Sequence, residues 1–148
     1  MRVLLLVFWF AVAVPYSAQG LTLADLLVLG TSVSTGDLVF SNFSLLGPAS
    51  PSLIDVTLLP NGIRFDSGLV IPPISLSNDF AYSVTSIVPI GTSTISMSGP
   101  DIITNAVLLY SSSAILGAIE LAGNSSETIS FPSSSPLVTL HHLSGTGP

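Results

Sequence analysis

The sequence predicts an all-β fold: an antiparallel two-sheet sandwich, jelly-roll-like, preceded by a short N-terminal helix. Three observations carry this expectation. Beyond residue 30 the apolar residues recur with a period close to two, which places them on one face of a strand. Turn signals interrupt these runs about every 10 residues, as in sandwiches built from many short strands. The amphipathic helices that a parallel βαβ sheet would need are missing from the pattern.

The first segment reads as a signal for export. Met1-Arg2 is a one-charge start, Val3 to Val14 is an apolar run, and Pro15 breaks it before the small residues Ser17, Ala18 and Gly20. This is the layout of a secretory signal peptide. The run is shorter than the roughly 20 apolar residues that span a bilayer, so a permanent anchor is the weaker reading. Cleavage is expected after Gly20, with the bond after Ala18 as second choice. The organisation is then residues 1–20 as signal peptide and residues 21–148 as a single β-sandwich domain, secreted or extracellular.

The exported chain opens with Thr22-Leu23-Ala24-Asp25 and reaches Gly30. A threonine N-cap, an acid three residues later and a closing glycine predict a helix of about two turns. Strands are predicted around Leu38–Phe43, Leu53–Leu59, Ile63–Asp66, Phe80–Ile87, Thr94–Ser98, Ala106–Tyr110, Ile115–Leu121, Thr128–Phe131 and Leu137–His141. The turns between them are expected at Gly47-Pro48, Pro60-Asn61-Gly62, Asp66-Ser67-Gly68, Pro72-Pro73, Ser77-Asn78-Asp79, Gly99-Pro100-Asp101, Gly123-Asn124 and Pro132 to Pro136. Ile102 to Leu121 carries one charge, Glu120, yet Asn105 and the triplet Ser111-Ser112-Ser113 divide it. Two strands joined by a serine turn fit it better than a membrane span.

Composition narrows the function classes. The 148 residues hold two basic side chains, Arg2 and Arg64, against eight acids, for a formal charge of -6. Nucleic acid is excluded as a main partner, because one arginine beyond the signal cannot neutralise a phosphate backbone. Electrostatic docking on an anionic membrane is excluded for the same reason. Hydrophobic residues make up 48% and charged residues 7%, so the chain is built to pack a core. The absence of cysteine removes thiolate metal sites, cysteine nucleophiles and disulfides. Residues 21–148 contain 24 serines and 11 threonines, so the surface is acidic and rich in hydroxyls.

Leu23-Ala24-Asp25-Leu26-Leu27, followed by Gly36-Asp37-Leu38-Val39-Phe40-Ser41-Asn42-Phe43, resembles a group of uncharacterised bacterial exported proteins of the PEP-CTERM type, which an exosortase sorts. In that group an "L-x-D-L" helix precedes a "G-D-x-x-F-x-x-F" strand. Asn61-Gly62-Ile63-Arg64-Phe65, Asp79 to Val84, Ile103 to Leu108 and Glu127-Thr128 follow the same pattern, so the likeness runs over nearly all of residues 21–142. Members with the sorting signal end in a Pro-Glu-Pro motif, an apolar helix and a basic tail. This sequence ends at Ser144-Gly145-Thr146-Gly147-Pro148 without them, and the resemblance implies either a fragment or a member released as a soluble protein. Gly36, Asp37, Phe40 and Phe43 are read as structural. Gly36 suits a turn and Asp37 is placed to bond backbone amides. Phe40 and Phe43 face opposite ways in a regular strand, and a bulge between them would turn both inward.

Catalytic constellations are thin. The only histidines, His141 and His142, are neighbours, so on a strand they face opposite sides and make poor joint metal ligands. No G-x-S-x-G elbow exists. The eight acids lie singly, which is a poor start for a glycosidase pair. Calcium is the one cofactor with candidate ligands: Asp66, in Asp66-Ser67-Gly68, and Asp79, in Asn78-Asp79. The reading is therefore a non-enzymatic exported structural or surface-interaction protein of the bacterial envelope or secreted matrix. Its partner would be an extracellular polysaccharide or a surface protein. The alternative is a carbohydrate-binding module of jelly-roll type, calcium-stabilised in one version.

Overall fold

The computed structural model describes residues 20–67, 76–98, 103–112 and 114–145. Residues 1–19 of the segment expected to be a signal peptide (1–20) lie outside the described residues, as do Gly68, Pro72-Pro73, Gly99-Pro100-Asp101 and Ser113. Two residues, Leu21–Thr22 (β1), pair antiparallel with Ile54–Leu59 (β4), and Leu23–Leu26 (α1) follows at once. Thr22 caps this turn: its amide and hydroxyl both donate to Asp25 Oδ2, at 2.9 and 2.8 Å. Those two bonds hold the Asp25 carboxyl below its usual range. The helix has one turn where the sequence analysis expects two. Leu23 and Leu26 are buried, whereas Val28 and Leu29 are exposed, so a second turn would gain no core contact. The chain instead closes with a turn from Thr31 N to Val28 O at 3.0 Å and positive φ at Gly30.

The remaining strands are Ser32–Thr35 (β2), Leu38–Leu46 (β3), Gly62–Ser67 (β5), Leu76–Ser86 (β6), Ile90–Met97 (β7), Ile103–Tyr110 (β8), Ile115–Ala122 (β9), Ser125–Ser134 (β10) and Leu137–Gly145 (β11). They form an all-β sandwich. One layer is a six-stranded antiparallel sheet in the order β2-β3-β6-β11-β8-β9. Its inner face packs on two smaller sheets, β1-β4-β5 at one end and β7-β10 at the other. Phe40, Phe80, Val84, Leu109 and Leu137 of the large sheet meet Ile54 and Val56 of β4. Val107, Ile119 and Leu121 meet Ile95, Met97 and Ile129. Gly117 permits that second contact, because a Cβ there would collide with Ile129 Cδ1.

Strand β3 shows how the sequence builds the core. Gly36-Asp37 is a two-residue hairpin loop between Thr35 and Leu38, with φ +55° at Gly36 and not at Asp37. That φ pattern suits a type II′ turn, whose twist matches the flanking strands. The Asp37 carboxylate is exposed and accepts no hydrogen bond from a backbone amide among the described residues, contrary to its expected role. Further along, the pairing of β3 with β6 shifts between Ser41 and Ser44, and Asn42 has φ +54°. This bulge turns Phe40 and Phe43 to the same side, where they are 3% and 9% exposed. Both rings lie 6.0 Å from Tyr82, which also contacts Phe65 and Phe80.

Two expected turns are strands instead. Asp66-Ser67 ends β5, opposite Ile54 and Asp55, and Ser77-Asn78-Asp79 lies inside β6, opposite β11. Tertiary pairing over nine residues of β11 outweighs the local turn preference of Asn and Asp. Ser111 N donates to Ala114 O at 2.9 Å, which joins β8 and β9 through the serine turn. No helix among the described residues is long and apolar enough to cross a membrane.

The bulge gives a direct test. Asn42→Val places a β-branched residue at positive φ and removes the 3.2 Å bond from Asn42 Nδ2 to Ser83 Oγ. It should cost about 2 kcal/mol in urea denaturation, whereas Asn42→Gly should stay within about 1 kcal/mol of the parent.

Candidate functional site

The calcium candidates are not brought together. Asp66 stands on β5 of the small sheet, and its Oδ2 accepts from Arg64 Nε at 2.7 Å. Asp79 stands on β6 of the large sheet, and its Oδ1 accepts from His142 Nδ1 at 2.6 Å. Asn78 Oδ1, the third candidate donor, accepts the Ala49 amide at 2.9 Å. One oxygen of each side chain therefore already has an intramolecular donor, and the acids lie in strands rather than loops. Among the described residues no cluster of three metal-ligating side chains occurs.

The two histidines part as adjacent strand residues must. His142 faces outward beside Asp79, its direct neighbour across the β6–β11 ladder. Asp79 fixes its Nδ1, and no hydroxyl is bonded to its Nε2 among the described residues. His141 faces inward, stacked 5.7 Å from Tyr82 and 5.8 Å from Phe80. Its Nδ1 accepts from Asn105 Nδ2 at 3.2 Å, so the neutral ring carries its proton on Nε2. That Nε2 and Asn105 Oδ1 are both buried without a partner. Burial lowers the His141 pKa from 6.5 to about 4, and it raises the Tyr82 hydroxyl, which bonds Thr139, to about 12.

The most regular polar surface lies elsewhere, on the exposed face of the β7–β10 ribbon. Thr92, Thr94 and Ser96 alternate along β7 and stand opposite Ser130, Thr128 and Ser126 of β10. All six are exposed. Thr94 and Thr128 share a hydrogen bond of 2.7 Å, and Ser96 and Ser126 one of 2.8 Å. The inward residues between them, Ile95, Met97 and Ile129, pack on β8 and β9 and hold the ribbon in place. The result is a ladder of three opposed pairs of uncharged hydroxyls on one strand pair, two of them hydrogen-bonded. It presents donors and acceptors at the regular spacing of a sheet, about 5 Å across and 7 Å along. Sequence reasoning leaves this ladder unseen: the alternating hydroxyls are legible in each strand, but the register that aligns them is not.

Aromatic platforms are scarce on the same surface. Phe40, Phe43, Phe80 and Phe131 are buried, and Tyr110 is half-buried at the end of β8. A hollow of about 70 Å³ lies between the end of α1 and the β3 bulge, lined by Leu26, Val28, Asn42 and Phe43 among others. It is well below the several hundred Å³ of a small-molecule site. No family model, curated protein or solved structure matches this chain.

His141 makes stability depend on pH in a defined direction. The unfolded chain takes up a proton near pH 6.5 and the folded one only near 4, so acidification across that window favours unfolding. The loss should reach about 3 kcal/mol between pH 8 and 4. In His141→Leu this component is gone, so thermal melts at both pH values should show the variant gaining on the parent by about that amount.

Proposed function

We propose that this chain is an exported, non-enzymatic structural or surface-interaction protein of the bacterial envelope or secreted matrix. The signal-like start of the sequence and the resemblance to PEP-CTERM-type exported proteins support the location. The hydroxyl ladder on β7 and β10 carries the reading of an interaction surface, because its outward side chains are uncharged and the residues between them pack on the core. Such a face binds through many weak hydrogen bonds and shape, with little Coulomb attraction and hence little sensitivity to salt.

The same ladder favours one second reading, a carbohydrate-binding module. Neutral polysaccharides offer rows of hydroxyls that the rows on β7 and β10 could meet along an extended chain. Both readings give Thr94 and Thr128 the same role and differ in what they touch.

Thr94→Val/Thr128→Val keeps the strand shape and β propensity while removing the central rung. Retention of the exported protein on isolated envelope and matrix material should fall roughly tenfold, with the melting temperature nearly unchanged and with 0.5 M salt, about ten times a low-salt buffer, having little effect. Depletion by insoluble neutral polysaccharide alone, lost in the same variant, would favour the carbohydrate module. Retention that is unchanged in the variant, or abolished by salt, would overturn the ladder as the contact.

A further inference from the structure

The best-placed unused charge in the molecule is Asp55. It lies on β4, exposed, opposite Thr22 of β1 on one side and Asp66 of β5 on the other. Like charges directly opposite in a ladder repel. Asp66 is compensated by Arg64, the only Lys or Arg in residues 21–148, and Asp55 has no cationic partner among the described residues. Its Oδ1 lies 3.7 Å from where a Cβ on Gly20 would stand. Gly20 is exposed, while Leu21, the next residue, is 9% exposed and already paired with Val56. The first strand, β1, therefore starts at the residue that follows the expected cleavage bond.

We propose that hydrolysis of the Gly20–Leu21 bond places the new α-ammonium beside Asp55, whose carboxylate pairs with it and fastens β1 to β4. Water adds across the peptide bond: the carboxylate leaves on Gly20, and the amine of Leu21 takes up a proton. A domain with a single arginine and no lysine thereby gains a second cation, against a carboxylate that lacks one. The inference rests on the export reading for the cleavage itself, but the pairing is a property of the domain and is tested separately.

The groups facing the new terminus are Asp55 from β4, Asp66 with Arg64 from β5, and Asp25 from α1, whose Oδ2 is held by Thr22. An amine paired with Asp55 keeps its proton to higher pH than the ordinary value near 8, so the stabilisation is full below that value and disappears as pH rises beyond it. Every core residue lies at or after Leu21, so a chain beginning there carries the whole described core.

The experiment compares Asp55→Asn with the parent in two forms: the full chain with its signal uncleaved, and the chain released at Leu21 from a removable fusion. In the released form at pH 6 the substitution should lower the melting temperature by about 2–4 °C. At pH 10 the loss should vanish. In the uncleaved form the substitution should be neutral or stabilising, because it only relieves the repulsion with Asp66. The chain contains no lysine, so acetylating the released form modifies its one primary amine, and the acetylated parent should then melt like Asp55→Asn. An equal effect of the substitution in both forms, no change on acetylation, or a loss that persists at pH 10 would overturn the pairing. Mass measurement of the exported protein tests the cleavage independently: a first residue other than Leu21 would sink the export-site reading and leave the pairing result standing.

Discussion

The aromatic cluster around Tyr82 is the constraint on which the rest of the sandwich depends. Phe40, Phe43, Phe65, Phe80 and His141 all lie within 6.0 Å of its ring, drawn from β3, β5, β6 and β11. Residues 21–148 have no disulfide and a single arginine, so burial at this point is the main device among the described residues that joins the sheets. The bulge at Asn42 is what delivers the second phenylalanine of β3 to the cluster. A regular strand would send Phe43 to solvent and leave the junction between the large sheet and the β4–β5 pair half filled.

That junction also explains a polar anomaly. His141 and Asn105 sit on the inner face where β11 and β8 adjoin, and each keeps one buried atom unpaired. Leaving a buried group unpaired costs roughly 1–3 kcal/mol, a cost the aromatic stack around His141 helps to offset. The ring's value there is geometric: it stacks on Phe80 and Tyr82 and still accepts a bond from Asn105. It is also the feature most exposed to acid, since protonation puts a charge where no counter-ion faces it among the described residues.

Much of this was legible in sequence, and the remainder divides by range. The Thr22–Asp25 cap and the turn at Gly36 are local devices, and the sequence patterns place them correctly because they close within four residues, although Asp37 does not bond the backbone amides expected of it. The Phe-x-x-Phe spacing of β3 already raised a bulge as the way to bury both rings. The second helical turn, the turns at Asp66 and Asp79, and the hydroxyl ladder were not legible, because distant partners decide them. Asn78 favours a turn until the Ala49 amide, 29 residues away, takes its carbonyl. Thr94 meets Thr128 across 34 residues, and no local rule sets that register. Val33 carries β2 with a single apolar residue packed inward, too weak a period to read.

The distribution of charge follows from the same scarcity of cations. With Arg64 alone to spend, the domain answers its carboxylates locally: Asp25 by a capping turn, Asp66 by Arg64 two residues before it, Asp79 by His142 across the ladder. These pairs are exposed and individually weak. The β7–β10 face is left with hydroxyls that satisfy one another in rungs. A surface so arranged is polar without being strongly charged, and it can exchange its internal hydrogen bonds for those of a neutral partner at little desolvation cost. The spacing of these hydroxyls depends on the register of β7 and β10 and, through Ile95, Met97 and Ile129, on the core beneath, so any partner of the proposed surface would have to match a pattern that the core sets.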